Sequence, residues 1–239
     1  MSEYDLFDTP EDMATVNRAL YLDIAQCMNE KGLPYSGTMK ENRLPDDRDF
    51  GLWFEDNAEK FGFDNEPSKV QEAFDFDREE GGANWDEAEI ACADLSKAKP
   101  AVQAFQPPQD ELTDSLVPRI RTEALLAAQE DEAWQKAKET WGACLKTKGL
   151  APSPGENDWV SVESKSFLDQ EDLQSDEVVR LAVIEAKCND ETRLTQKLAD
   201  LVAQYQLPLI RQNQAAINEF KELKQSRLAA AREYSATHG

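Results

Sequence analysis

A chain of 239 residues, 40% hydrophobic and 31% charged, is long and apolar enough to bury a core as one large domain or two modest ones, which excludes wholesale disorder. Its formal charge of −22 argues against nucleic acid and anionic membrane surfaces as partners, because both are met by clustered Lys and Arg. The same charge favours solubility, divalent cations and basic or neutral partners. Residues 1–110 carry 26 acidic and 10 basic side chains against 22 and 16 in residues 111–239, so the acidity belongs mainly to the first half. No run of about 18 apolar residues is present, so no transmembrane segment is expected. No charged-then-apolar leader opens the chain either.

In chain order, Thr9-Pro10-Glu11-Asp12 predicts a helix start, with a capping Thr, Pro in the first turn and acids at the positive end of the helix dipole. Leu20, Ile24, Cys27 and Met28 recur at helical spacing, and Gly32-Leu33-Pro34 stops the helix. Residues 35–66 read as a long loop carrying two aromatic clusters, Phe50 to Phe54 and Phe61 to Phe63. A short helix is expected over Pro67–Phe74, then an acidic loop through Gly81-Gly82, a helix capped by Asn84, and a linker from Lys99-Pro100 to Pro107-Pro108. Asp110 or Thr113 opens the next helix, and an amphipathic helix with Trp134, Trp141 and Cys144 ends at Gly149. Trp159 to Val162 are expected to pair as a short strand. A long helical stretch starts near Ser175, with Leu194, Leu198, Leu201, Val202 and Tyr205 on one stripe. Pro208 should kink or interrupt it. The pattern resumes with Ile210, Ile217, Phe220, Leu223 and Leu228, as a helix packed on one side only or a projecting arm.

Cys27-Met-Asn-Glu-Lys-Gly-Leu33 matches Cys144-Leu-Lys-Thr-Lys-Gly-Leu150 as a repeated Cys-apolar-x-x-Lys-Gly-Leu unit. Each copy ends a helix, and each is followed by one more helical cysteine, Cys92 or Cys188. Four cysteines without a CxxC pair, and a lone His238 at the terminus, make a poor zinc set. Four free buried thiols remain the alternative to two disulfides. The repeat favours Cys27–Cys92 and Cys144–Cys188, each constraining the unfolded chain by roughly 4 kcal/mol in the loop-entropy view.

The cysteine helices, the Phe50-Gly51-Leu52-Trp53 segment, Trp141-x-x-Cys144 with Lys148-Gly149, and Ala182-Val183-x-x-Ala186-x-Cys188 occur in an order that resembles secreted lipoproteins of high-GC Gram-positive bacteria, mostly of unassigned function. The resemblance covers most of Ala19 to Tyr205 and implies paired cysteines and envelope localisation, secreted or lipid-anchored. Such proteins carry an N-terminal signal with a lipidated Cys, which this chain lacks. The resemblance implies no catalytic residues.

Among chemical constellations, Asp75, Asp77, Glu79 and Asp86 superficially follow the ligand spacing of an EF-hand calcium loop. Glu80 stands where that loop needs Gly, and Asp86 is short for the bidentate Glu, so a solvated acidic loop is the simpler reading. Asp46, Asp47 and Asp49 form a second acidic patch. Phe50, Trp53, Phe54, Phe61 and Phe63 form either a ligand surface or a loop held down by its own small core. With His238 as the sole histidine, Ser-His and Cys-His dyads have no support, and no phosphate-binding glycine loop is present.

The expectation is a mainly α protein of two related, disulfide-linked helix-loop-helix units, residues 1–108 and 109–239, with long loops and a long, Pro-interrupted C-terminal helix. Its expected function is non-enzymatic binding outside the cytoplasm, through the acidic first half or the C-terminal arm, with no cofactor. The alternatives are a carboxylate-based hydrolase of cell-wall or extracellular polymer and a calcium-dependent structural module.

Overall fold

A computed structural model describes residues 10–36, 48–108, 115–155, 157–168 and 175–239. Thr9, Asp46, Asp47, Asp110 and Thr113, singled out above, lie outside the described residues. The architecture is mainly helical, with no strand among the described residues. We number the helices α1 (Pro10–Glu30), α2 (Glu55–Phe61), α3 (Lys69–Gly81), α4 (Trp85–Lys97), α5 (Pro100–Gln103), α6 (Leu116–Gln129), α7 (Glu132–Thr147), α8 (Val162–Leu168), α9 (Asp176–Thr192), α10 (Leu194–Gln212) and α11 (Gln214–His238).

The chain forms two compact units, neither continuous in sequence. The first combines Met1–Leu44, Pro67–Arg121 and Ile210–Gly239; the second combines Pro45–Glu66 and Thr122–Leu209. The division is therefore not a linear one near residue 108. The aromatic segment groups with the second unit, and the last helix with the first.

In the first unit, one face of α1 buries Val16, Ala19, Ile24 and Met28. Val16 and Ala19 pack with Val102, Phe105, Leu228, Ala231 and Tyr234. Ile24 and Met28 pack with Tyr35, Trp85 and Cys92. The stretch expected as a linker is thus part of this core. Pro100 opens α5 at the position where a missing N–H costs nothing, and the half-turn that follows puts Val102 and Phe105 out of solvent. The expected acidic loop is helical to Gly81, with Ser68 capping α3 through a 3.2 Å bond from the Gln71 amide.

Helix α11 packs against α1 and does not project, along a stripe that keeps only part of the expected one. Ile217, Leu228, Ala231 and Tyr234 are buried, whereas Leu223 is exposed and Phe220 half-buried. The buried stripe also carries Lys224 and Arg227; Lys224 reaches Asp12 on α1 at 3.3 Å.

In the second unit, Trp134, Trp141 and Leu145 of α7 pack with Leu181 and Cys188 of α9 and with Leu194, Leu198, Leu201 and Val202 of α10. Asp131 caps α7 through the Ala133 amide at 2.8 Å and accepts the Tyr205 hydroxyl at 2.7 Å. The expected strand is a single antiparallel bridge between Pro152 and Ser161, after which Val162 opens α8. Pro208 sits inside α10, which continues to Gln212; the interruption falls at Asn213. A second break is at Arg193, in the left-handed conformation with φ 55°, which separates α9 from α10. Proline removes one ladder bond, and the buried stripe from Leu194 to Val202 keeps α10 helical.

Candidate functional site

The four cysteines are joined as Cys27–Cys92 and Cys144–Cys188, with Cα–Cα separations of 5.7 and 5.6 Å, and no cysteine is free among the described residues. The matched local sequences produce matched helix ends. Lys31 N–H donates to the Cys27 and Met28 carbonyls, Gly32 to Asn29 and Leu33 to Met28. Lys148 donates to Cys144 and Leu145, Gly149 to Lys146 and Leu150 to Leu145. Gly32 and Gly149 take φ of +75° and +84°, the left-handed turn that ends a helix and lets the following Leu fold back on it. Cys27 and Cys144, one turn before these ends, reach Cys92 on α4 and Cys188 on α9. The bridges indicate an oxidising, extracytoplasmic setting. No described helix is long and apolar enough to cross a membrane.

The aromatic segment is pinned at both ends. The Arg48 guanidinium donates to the carbonyls of Phe63 and Asp64, at 2.6 and 2.7 Å, closing the segment into a loop. The Asn189 amide of α9 donates to the Phe50 carbonyl at 2.9 Å, and Lys187 pairs with Glu55 at the start of α2 at 2.7 Å. Gly51, at φ +86°, lies so close to the Trp159 backbone that a Cβ there would sit 2.8 Å from the Trp159 carbonyl oxygen.

The five aromatic residues then divide. Phe50 meets Trp134 and Trp159 edge-on, with ring centroids 5.6 and 6.1 Å apart. Phe63 packs on this tryptophan cluster and on the smaller one formed by Leu52, Ala58, Ala182 and Ala186. Trp53 and Phe54 instead lie against each other at 3.8 Å; Trp53 is half-buried and Phe54 is 39% exposed. Phe61 is half-buried at the end of α2. Two rings, Phe50 and Phe63, are anchors, and two, Trp53 and Phe54, form an aromatic ledge at the surface.

The calcium candidates are not gathered around one point. Helix α3 turns about 100° per residue, which sends Asp75 and Asp77 to opposite sides. Asp77 is buried and accepts the Ser36 amide and hydroxyl. Asp75 and Asp86 both meet the Arg78 guanidinium, each at 2.7 Å, while Glu79 is exposed. Among the described residues, no group of three or more His, Cys, Asp or Glu is placed to hold a metal ion.

Two buried carboxyls escaped the sequence reading. Asp23, 4% exposed, accepts the Tyr234 hydroxyl at 2.5 Å and the Lys99 ammonium at 2.8 Å. Burial opposes its charge, but the bonds from Lys99 and Tyr234 outweigh it and hold the carboxyl below its usual range. Glu185, 1% exposed, goes the other way: burial dominates and raises it despite bonds from Ser164 and Ser161. Asp23 sits on the buried side of α1 between Leu20 and Ile24, a polar break in an apolar stripe that was legible. Glu185 stands between Ala182 and Ala186 in the same way. The sequence signal marks the burial but not the partner.

Comparison with family models, with curated proteins and with solved structures gives no match.

Proposed function

We propose that this chain is a non-enzymatic binding protein of an extracytoplasmic compartment, secreted or held at the cell envelope, that meets a basic or neutral partner through the Trp53–Phe54 ledge. The observation that carries this reading is the division of the aromatic segment. Phe50, Phe63, Arg48 and Asn189 hold the loop in place, so Trp53 and Phe54 present contact area with little ordering left to do on binding. Loops that fold on their own side chains are frequent binding elements. The charge of −22 favours a partner of opposite or neutral sign, and the resemblance to envelope lipoproteins supports the compartment.

A carboxylate hydrolase has less support. Among the described carboxyls one is raised, Glu185, and it is buried at 1% exposure.

The test is capture from envelope extract by the wild type, by Trp53→Ala/Phe54→Ala, and by Phe76→Ala, an exposed aromatic on α3. The proposal expects the double variant to lose a partner that wild type and Phe76→Ala retain, with an unchanged melting temperature. Identical captured sets for all three proteins would sink it.

A further inference from the structure

The start of α8 is capped by an unusual division of labour. Ser161 precedes the helix, and its hydroxyl oxygen accepts the Ser164 amide at 3.1 Å, the ordinary N-cap bond. In a capping box, the third helical residue is an acid that reaches back to the N-cap amide. Here that residue is Ser164, and the acid comes from another helix: Glu185 of α9 accepts the Ser161 amide at 2.8 Å and the Ser164 hydroxyl at 2.5 Å. Both bonds fall on Oε1. The second oxygen, Oε2, is buried with no hydrogen-bond partner. All three side chains are 1% exposed or less.

We propose that Glu185 is a proton-dependent latch: protonated, it fastens the segment from Trp159 to Leu168 onto α9, and loss of the proton releases that segment and uncovers the tryptophan cluster. An enclosed carboxyl with an orphan oxygen is tolerable when neutral and costly when charged. Among the described residues, no cation acts to offset it. The charge that acts on it is Glu163 of α8, which also disfavours ionisation. Of the charges on helices packed against α9, Glu55 and Glu59 of α2 act on Lys187, Lys165 of α8 pairs with Asp158, and Lys148, just past α7, pairs with Glu191; none of these acts on Glu185. What the latch holds is substantial, because Trp159 packs on Trp134 and Trp141 with centroids 5.8 and 6.1 Å away.

The sign follows from the raised folded value. The closed state binds the proton more tightly than the open one, so closure is fully favoured below the carboxyl's ordinary value and weakens as pH rises through the folded midpoint. The experiment is amide exchange at Trp159 to Leu168 across pH, with intrinsic exchange rates divided out. The opening constant should rise about tenfold per pH unit between the two values and then level off. Glu185→Gln should abolish that slope. Ser164→Ala removes a donor to the charged form, so it should move the levelling point to higher pH. A flat wild-type profile, or an equal slope in Glu185→Gln, overturns the latch. If Glu185→Gln does not fold, Ser164→Ala decides, and an unmoved levelling point overturns it equally.

Discussion

Single residues do two different kinds of work in this molecule. Gly51 is required because its backbone turns to positive φ against Trp159, where a side chain would both strain the turn and collide with a carbonyl. Gly51→Ala is expected to lower stability by about 1–3 kcal/mol in urea denaturation, with near-UV circular dichroism reporting the tryptophan environment. Asp23 is an ionic tie between α1, the Lys99 turn and α11. Its folded value is depressed, so its contribution is fully present above the unfolded-chain value near 3.8 and is lost as pH falls through the lower folded value. Asp23→Asn should cost about 1–3 kcal/mol at neutral pH and flatten this part of the acid limb of the stability profile. A variant whose acid limb matches wild type would show that the tie contributes nothing.

At the scale of elements, the bridges staple one helix pair in each unit, α1 to α4 and α7 to α9. They close separations of 65 and 44 residues, so removing either by paired Cys→Ser substitution should cost roughly 4 kcal/mol if chain entropy dominates. Equilibrium unfolding of Cys27→Ser/Cys92→Ser and Cys144→Ser/Cys188→Ser measures each separately. A loss below about 1 kcal/mol would show that packing alone holds the pair. The helices themselves were largely legible, with Gly32 and Gly149 as stop signals; the caps Ser68 and Asp131, which also act within one turn, emerged only from the structure. What misled was local in the same sense. The Asp and Glu run from Asp75 to Glu80 resembled a loop, yet Arg78 pairs with both Asp75 and Asp86 and Phe74 packs inward, which keeps α3 helical to Gly81. Pro208 looked like the break, but the chain breaks at Arg193 and Asn213, where no proline or glycine marks the place.

For the whole molecule, the governing property is an excess of negative charge, heaviest in residues 1–110. Self-repulsion among exposed carboxylates opposes the compact state, and salt screens it over about 10 Å at 0.1 M. Thermal melting should therefore rise as sodium chloride is increased from low concentration to about 0.3 M. A melting temperature that falls over this range would mean that favourable ion pairs such as Lys187–Glu55 outweigh the repulsion.

The amino-acid sequence by itself determined the helical class and the two cysteine pairs. Periodicity, caps and the repeated Cys-apolar-x-x-Lys-Gly-Leu ends are short-range signals, and the pairing followed from the repeat, one further helical cysteine coming after each copy. Only the tertiary structure decided which segments share a core. It joined residues 45–66 to the second unit and α11 to the first, turned Phe50 and Phe63 inward while leaving Phe54 at the surface, and enclosed Glu185 beneath Ser161 and Ser164. Those outcomes depend on contacts between residues far apart in the chain, which spacing along one element does not encode.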